Sequence, residues 1–322
     1  DGLSVSEAHA GDAVEVAMPE TGFYIEAGGQ VGDEGVIVGD GWQVNVNSMR
    51  KPAPGLILLV GKVQSGNPKV GDVASAKVDE VRRKDIMRNH TATHLLHAAL
   101  HEVLGDHARQ AGSLVAPEKL RFDFTHPEAL TRDEIEKIER YVNERVLENH
   151  PLQTEVKSLQ EAMDGGATAL FGEKYGEVVR NVMMGGPSTG SGQAFSNELC
   201  GGTHCATSGE VGTFIITSEG SAAAGIRRIE AITGRAAYDL IQKRFSVLNQ
   251  AAAMMTTTPD KMLERAQSAL GEMKEMRHTI QNLRQNLAAV DFTRVLDETS
   301  DVGGVEVLTA VLNEANVETL RQ

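Results

Sequence analysis

The stretch Asn89-His90-Thr91-Ala92-Thr93-His94 places two histidines four residues apart, and Glu198-Leu199-Cys200-Gly201-Gly202-Thr203-His204 repeats that spacing with a cysteine and a histidine. On a helix, side chains four residues apart point to one spot, and nitrogen and sulfur atoms are the ligands that zinc prefers. More than a hundred residues separate the two pairs, so a folded domain has to bring them together. The sequence therefore predicts a Zn²⁺ site with the ligands His90, His94, Cys200 and His204.

Two further histidines extend the first pair along the same helix face. His97 and His101 continue the helical period, so periodicity alone does not choose which pair binds the metal. Their neighbours are mostly leucine, valine and alanine, which favours buried or half-buried histidines bonded to the backbone. Cys205 is likewise either a substitute ligand or a small neighbour of the second pair.

The residue that follows His90 limits the chemistry of the site. In zinc proteases of the His-Glu-x-x-His type a glutamate in this position acts as general base, whereas here the position holds Thr91. We therefore do not expect peptidase chemistry of that kind. Activation of water has to come from the metal, from another side chain or from the substrate.

The composition is typical of a multidomain protein from a reducing compartment. The 322 residues are 41% hydrophobic, enough for two or three cores, and the only cysteines, Cys200 and Cys205, do not suggest a disulfide framework. No signal-like segment opens the chain, and the longest apolar run, residues 56–60, is too short for a membrane span. We expect a soluble, cytoplasmic protein without membrane contact, and a start at Asp1 suggests a piece of something longer.

The net charge of −14 opposes a nucleic-acid partner for the chain as a whole. A protein that grips only the end of an RNA, however, needs just a local cationic surface. The candidates for such a surface are Arg82, Arg83, Lys84, Arg88, Arg227 and Arg228. Ordinary solvated charges are an equally good interpretation of each group, and we expect weak, salt-sensitive RNA affinity.

Residues 1–78 contain short valine and isoleucine runs broken by turn residues, which predicts a small antiparallel β-barrel. One hairpin is predicted over residues 36–46 around Asp40-Gly41, and a second pairs residues 56–63 with residues 70–78.

A glycine cluster begins in this part of the chain at Gly28 and Gly29 and extends to Gly35. It lacks the Gly-Lys-Ser/Thr ending of a nucleotide-triphosphate site. We interpret these glycines as tight turns beside an adjoining active site.

Helices and strands alternate over residues 79–235, which predicts an α+β domain that carries the zinc site. A helix over residues 85–104 holds the first histidine pair. Thr131 is the predicted cap of a helix that ends before Pro151. Strands are predicted over residues 120–124, 213–217 and 226–232.

Residues 236–298 predict a helical hairpin with coiled-coil packing. The first helix ends before Pro259 and the second begins at Asp260. Apolar residues of the second helix recur at steps of three and four, at Ala266, Ala269, Met273, Met276, Ile280, Leu283, Leu287 and Val290. Residues 299–322 look like the truncated start of a further domain, because about twenty residues cannot build a core. The predicted fold class is thus an α+β multidomain chain.

Several further blocks of sequence accompany the metal-binding pairs. They are Phe23-Tyr24 with residues 28–35, residues 110–115 with 121–124, residues 169–176, residues 218–220 and residues 225–231. With these blocks in this order over roughly residues 20–235, the chain resembles the editing half of alanyl-tRNA synthetase and the free-standing alanyl-tRNA editing proteins. A glycine and serine stretch over residues 185–192 departs from the family. It is interpreted as a lengthened surface loop, with a lid or an RNA contact as the alternative.

The resemblance implies an editing hydrolase that deacylates Ser-tRNA(Ala) and Gly-tRNA(Ala) at a zinc-containing site. Nothing in the chain resembles the class II aminoacylation domain, so ATP binding and adenylation would belong to the full-length synthetase. The implied partner is the acceptor end of tRNA(Ala). Because a C-terminal domain for tRNA binding and self-association follows in the synthetases, the resemblance also implies a homodimer through the C-terminal helices and that missing domain.

The resemblance also assigns roles to residues outside the metal pairs. Gln110 would bond the serine hydroxyl or the attacking water, and Thr93 is a weaker catalytic candidate. Substrate or tRNA contacts are expected from Gly28, Gly29, Gln110, Arg227 and Arg228. Whether the zinc activates water or only orients the substrate stays open. Two other classes also stay open, a zinc hydrolase for another small ester or amide and a noncatalytic RNA-binding, dimerising module.

Overall fold

The computed structural model describes residues 3–169, 175–185, 194–295 and 299–309. Two compact units divide the chain, Asp1–Ile241 and Gln242–Gln322. Antiparallel sheets and helices make up the first unit, which agrees with the predicted α+β class. The boundaries of the four predicted domains stay predictions.

The N-terminal part of the first unit is a five-stranded antiparallel sheet in the order β1-β4-β3-β2-β5. Its strands are β1 (Ala13–Ala17), β2 (Gly35–Gly39), β3 (Trp42–Ala53), β4 (Leu56–Ser65) and β5 (Ala74–Val78). The strand order leaves β1 and β5 at the two edges, so the predicted β-barrel is not confirmed. The interior of this sheet packs around Ile37, Val44, Val46, Leu59 and Val63.

One of the two predicted hairpins is confirmed and the other is wrong. β2 pairs with β3 through Asp40-Gly41, as predicted. β4, however, pairs with β3 and β1, whereas β5 pairs with β2. The reason is a turn at Pro54-Gly55, where Gly55 has φ of 80°. Proline fixes the first turn position and glycine accepts the positive φ of the second, so β3 folds back onto β4 at once.

A four-stranded antiparallel sheet in the order β11-β12-β7-β6 forms the framework of the next part. Its strands are β6 (Gln110–Val115), β7 (Leu120–Thr125), β11 (Phe214–Ala223) and β12 (Ile226–Thr233). Two helices, α1 (Glu80–Leu104) and α2 (Arg132–Leu147), contribute to one shared core with this sheet. The core is fully buried at Leu96, Leu120, Phe122, Phe124, Ile138 and Phe214.

A smaller three-stranded sheet carries the second half of the predicted metal site. It has the order β10-β9-β8, formed by β8 (Leu152–Ser158), β9 (Val178–Gly185) and β10 (Ala194–Leu199). A short helix, α3 (Leu159–Asp164), follows β8. Cys200 stands at the end of β10. The predicted loop over residues 185–192 lies outside the described residues apart from Gly185.

The cap predicted for α2 is present as a complete capping box. The hydroxyl of Thr131 accepts a hydrogen bond from the backbone N–H of Glu134 at 3.2 Å, and Glu134 Oε2 accepts one from the backbone N–H of Thr131 at 2.8 Å. These bonds satisfy donors that the first turn of a helix cannot pair internally.

Thr131→Ala is expected to lower the free energy of unfolding by ~1 kcal/mol, because the capping bonds of the threonine are lost. Chemical denaturation of the full chain, followed by helical circular dichroism, measures the change. Thr258→Ala is the matched control, since the exposed Thr258 begins a 3₁₀ turn without a side-chain capping bond. Equal effects of the two substitutions would contradict the capping role.

The C-terminal helices are α4 (Gly234–Met254) and α5 (Met262–Val295), close to the predicted bounds. The apolar residues of the predicted seam are exposed on α5, at Met273, Met276, Ile280, Leu283, Leu287 and Val290. Coiled-coil packing of a hairpin is therefore not confirmed. Two short strands, β13 (Ser300–Asp301) and β14 (Glu306–Val307), pair beyond α5. Residues 310–322, where the predicted last strand ends, lie outside the described residues.

Candidate metal centre

α1 supplies the first two donors of the site. Asp79 caps this helix, with its carboxylate accepting from the backbone N–H groups of Val81 and Arg82. His90 and His94 stand one turn apart, buried in the middle of the helix, with ring centroids 5.4 Å apart and nearly parallel rings. A buried helix that packs on a sheet fixes the direction of both imidazoles.

The second two donors lie in a loop and not on a helix. Cys200 follows β10 directly, and His204 lies within the irregular segment after it. The guanidinium of Arg180 on β9 donates to the carbonyl oxygens of Cys200 and Gly202, which holds the loop in place. The second pair of donors therefore converges because hydrogen bonds hold its loop in place, whereas helical geometry explains only the convergence of the first pair.

The four donors converge as predicted from the sequence. One ligand atom from each of His90, His94, Cys200 and His204 lies within 4.8 Å of all the others, and all four residues are buried. Cys200 Sγ is 3.4 Å from His90 Nε2 and 3.3 Å from His204 Nε2.

These residues fit a tetrahedral zinc ion. With Zn–N bonds of about 2.0–2.1 Å and a Zn–S bond of about 2.3 Å, neighbouring ligand atoms would be about 3.3–3.6 Å apart, near the distances from Cys200. His94 Nε2 is buried and, among the described residues, has no hydrogen-bond partner. A cation is the natural partner for such a nitrogen, and imidazole and thiolate are both donors that zinc prefers.

Glu198 is a functional residue that the sequence reasoning missed. Its buried carboxylate accepts from His94 Nδ1 at 2.7 Å and from His97 Nδ1 at 2.9 Å. The bond to His94 leaves Nε2 of that ring for a metal, as outer carboxylates commonly do for histidine ligands. His97 is thus bonded to a carboxylate and not to the backbone. The two histidines of α1 that join the donor cluster are His90 and His94. The signal available in the sequence was an acidic residue two positions before Cys200, within the segment that carries the second metal pair.

The pKa shifts describe the protonation of the metal-free site. Burial alone would raise the pKa of Cys200, but His90 and the bonds from the histidines outweigh it and hold the pKa well below its usual range. Burial, together with the neighbouring imidazole of His90, lowers the pKa of His204 to about 3. Burial would also lower the pKa of His94, but Glu198 outweighs it and raises that pKa to about 10. A thiolate and a neutral imidazole are therefore ready to bind, and metal binding would displace the proton of His94.

Cys205 is separate from the four donors. Its backbone N–H donates to the hydroxyl of Thr91 at 3.1 Å, and burial raises the pKa of its thiol to about 11. A buried, protonated thiol is a poor ligand. Of the two interpretations of Cys205, the small neighbouring residue agrees with these contacts.

The other expected site residues take various places. Gln110 begins β6, half-buried, with Nε2 3.4 Å from Ser113 Oγ. Thr93 is buried, and its hydroxyl donates to the carbonyl of Asn89 at 2.9 Å, which uses its only proton within α1. Gly28 and Gly29 both have positive φ, at 56° and 79°. Their roles toward a substrate stay predictions.

The arginines expected to contact RNA are engaged within the protein. The first group is bonded around the glycine cluster and α1: Arg82 to Glu34, Arg83 to Asp33, and Arg88 to Asp85. On the second sheet, Arg227 pairs with Glu219 and Arg228 pairs with Asp123. Contact with phosphates would have to compete with these ion pairs, so a cationic RNA surface stays a prediction.

Two family models match parts of the chain. Residues 1–82 match the model described as tRNA synthetases class II (A), and residues 179–230 match the threonyl and alanyl tRNA synthetase second additional domain. Alanine–tRNA ligase from Chloroflexus aurantiacus is 44% identical over the whole of this chain. Over its whole length the chain is similar to the alanyl-tRNA synthetases. The second match covers β9, β10 and the loop with Cys200 and His204, whereas the two donors on α1, His90 and His94, lie outside it.

Other ligases of this kind match over the same extent. Alanine–tRNA ligases from Roseiflexus sp. and Alkaliphilus oremlandii are each 43% identical, over 100% and 99% of this chain. The chain spans 35–37% of the length of these relatives. The first family match, residues 1–82, falls on the N-terminal sheet. The expectation that this chain lacks adenylation activity stays a prediction. Among the helices that the structure describes, none has the length and apolar character of a membrane span.

Proposed function

We propose that this chain is the editing hydrolase of an alanyl-tRNA synthetase and deacylates Ser-tRNA(Ala) and Gly-tRNA(Ala) at a zinc site. The observation that carries the proposal is the convergence of His90, His94, Cys200 and His204 in one buried centre of a chain similar to the alanyl-tRNA synthetases. Zinc is the proposed ion because three nitrogen donors and one thiolate suit it. We further propose a cytoplasmic location.

The need for such an activity follows from the size of the amino acids. A pocket that accepts alanine cannot strongly exclude the smaller glycine or fully reject serine, because one group of this size is worth about 1–3 kcal/mol. A second site can reverse the preference by offering the serine hydroxyl a hydrogen bond. Alanine lacks that hydroxyl and would leave the bonding group unpaired.

Residues of this chain would orient the ester and the water. Gln110 is proposed to bond the serine hydroxyl, since its present bond to Ser113 is long and its amide both donates and accepts. Thr93 is proposed to act only as an acceptor. Gly28 and Gly29 would leave the backbone open to the substrate. Four protein ligands close a tetrahedral zinc, so a bound zinc would supply Lewis-acid polarisation or a water of lowered pKa only where one ligand exchanges, and would otherwise orient the site.

The proposed partner is the acceptor end of tRNA(Ala), with phosphates contacted by Arg227 and Arg228 after exchange of their present acidic partners. Self-association is proposed through the C-terminal helices, because the apolar residues of the predicted coiled-coil seam are exposed on α5. The further domain of the longer relatives would contribute to the same interface.

Deacylation of Ser-tRNA(Ala) by the full chain is expected to exceed that of Ala-tRNA(Ala) by ~10–100-fold, because alanine leaves the group that bonds the serine hydroxyl unpaired, at a cost of about 1–3 kcal/mol. Release of labelled amino acid from each charged tRNA measures the two rates. Gln110→Ala should reduce the serine preference ~10-fold, and Gln64→Ala, an exposed position on β4, should leave it unchanged. Equal rates for serine and alanine in the unchanged protein would refute the editing function.

A further inference from the structure

We propose that Gln30, carried by the glycine-rich loop of the N-terminal sheet, is a positioning residue of the metal centre. The proposal rests on the metal site of the proposed function. Gln30 is not among the site residues predicted from the sequence. Gln30 is fully buried, although it belongs to a part of the chain that supplies no metal ligand.

The amide of Gln30 joins the two halves of the site. Its Oε1 accepts from His90 Nδ1 at 2.6 Å and from the backbone N–H of Thr203 at 3.0 Å. Its Nε2 donates to the hydroxyl of Thr203 at 2.9 Å. Thr203 lies between Cys200 and His204, so one side chain holds a ligand on α1 and the loop that carries the other two.

These bonds set the tautomer of His90. Because the N–H of Thr203 has to meet an oxygen, the amide orientation of Gln30 is fixed, and its Oε1 can only accept. His90 therefore carries its proton on Nδ1 and offers Nε2, 3.4 Å from Cys200 Sγ, to a metal. A histidine ligand whose other nitrogen is bonded in this way keeps both its tautomer and its ring orientation.

The loop that carries Gln30 is fastened from both sides. Val115 on β6 donates its N–H to the carbonyl of Gly29 at 2.7 Å and accepts from the N–H of Val31 at 3.0 Å. The approach is so close that a Cβ on Gly29 would lie 2.5 Å from Ser113 Oγ. Glycine is therefore required next to Gln30, and the loop pairs with β6 like a short added strand.

Arg83 of α1 fixes the far end of the loop. Its guanidinium Nε donates to Asp33 Oδ1 at 2.8 Å, and Asp33 is buried. Asp33 also accepts the backbone N–H of Tyr24 at 2.6 Å. The arginine expected to meet RNA thus anchors the loop to the helix that holds His90. A side chain held so firmly has the rigidity that an outer partner of a metal ligand needs.

The test measures Co²⁺ binding to the full metal-free chain without tRNA, by chelator competition and by the visible absorption of the bound ion. Gln30→Met keeps the side-chain length but removes the acceptor, and it is expected to weaken Co²⁺ binding ~10–100-fold and to change the absorption bands. Gln30→Glu restores an acceptor for His90, and its Co²⁺ affinity is expected to stay within about threefold of that of the unchanged protein, a smaller change than the loss expected for Gln30→Met. Gln64→Ala is the control for an exposed glutamine.

Unchanged Co²⁺ affinity in Gln30→Met would overturn the proposal. Equal losses of affinity in Gln30→Met and Gln30→Glu would also overturn it, because they would show that the packing of the side chain matters and the acceptor for His90 does not. If Gln30→Met does not fold by circular dichroism, Gln30→Glu decides: loss of affinity in this folded variant overturns the proposal. Failure of the unchanged chain to bind Co²⁺ would refute the metal centre itself, and with it the role of Gln30. A chain whose Co²⁺ affinity depends on Gln30 but which does not deacylate Ser-tRNA(Ala) would refute only the editing function.

Discussion

Cys200→Ala is expected to reduce deacylation of Ser-tRNA(Ala) to the uncatalysed rate and to weaken Zn²⁺ binding by more than ~100-fold. We expect a loss above ~100-fold because removing a residue that only hydrogen-bonds a metal ligand already weakens metal binding by ~10–100-fold. The thiolate of Cys200 is the only anionic donor among the four ligands, and it lies within 3.4 Å of two of the imidazoles. Its removal leaves three neutral nitrogens in a buried pocket, which bind a dication less tightly.

The other cysteine provides a matched control. Cys205→Ala removes a thiol of equal size and similar burial, five residues beyond Cys200, but outside the donor set. Both the Zn²⁺ affinity, measured with a chromophoric chelator, and the deacylation rate should stay close to those of the unchanged chain. An active Cys200→Ala variant, or a Cys205→Ala variant with the same loss of metal, would contradict the assignment of the ligands.

Local patterns predicted those parts of the fold that local contacts determine. The bounds of α2, the end of α1 and the cap at Thr131 follow from helical period and capping chemistry. The start of α1 was predicted five residues too late, at residue 85, because the cap at Asp79 was overlooked. The partner of β4 was predicted wrongly, because the turn at Pro54-Gly55 was overlooked. The seam on α5 shows the limit of periodicity: a heptad-like pattern identifies an apolar face but does not say what covers it.

The metal ligands were predictable from the sequence because their types and spacing are specific. Their supporting residues were not, since these contacts join distant parts of the chain. Gln30 bonds a residue 60 positions away and Glu198 one that is 104 positions away. The chemistry of a lone glutamine or glutamate says nothing about which histidine it will meet. Only the fold, which packs the glycine-rich loop against β6, brings these partners together.

A second substitution with a large expected effect on metal affinity lies in the loop between Cys200 and His204, because no side chain fits at Gly202. A Cβ at this position would lie 2.1 Å from His90 Cε1 and 2.4 Å from His90 Nδ1, and 2.9 Å from Gln30 Oε1. Gly202→Ala therefore has to displace the imidazole from both its metal-binding position and its bond to Gln30. We expect Zn²⁺ affinity to fall by at least ~10–100-fold, the loss typical of a misoriented ligand.

Gly201 supplies the control for this substitution. It is the preceding residue of the same loop, but it is exposed, and a Cβ there would meet no atom within 4 Å. Gly201→Ala should accordingly keep its Zn²⁺ affinity, and any general stiffening of the loop backbone by alanine would be common to both variants. Chelator competition on the two proteins separates the steric effect from the backbone effect. If both variants lose the metal equally, the contact with His90 is not the cause, and the close approach of the loop to α1 does not determine how the site binds its ion.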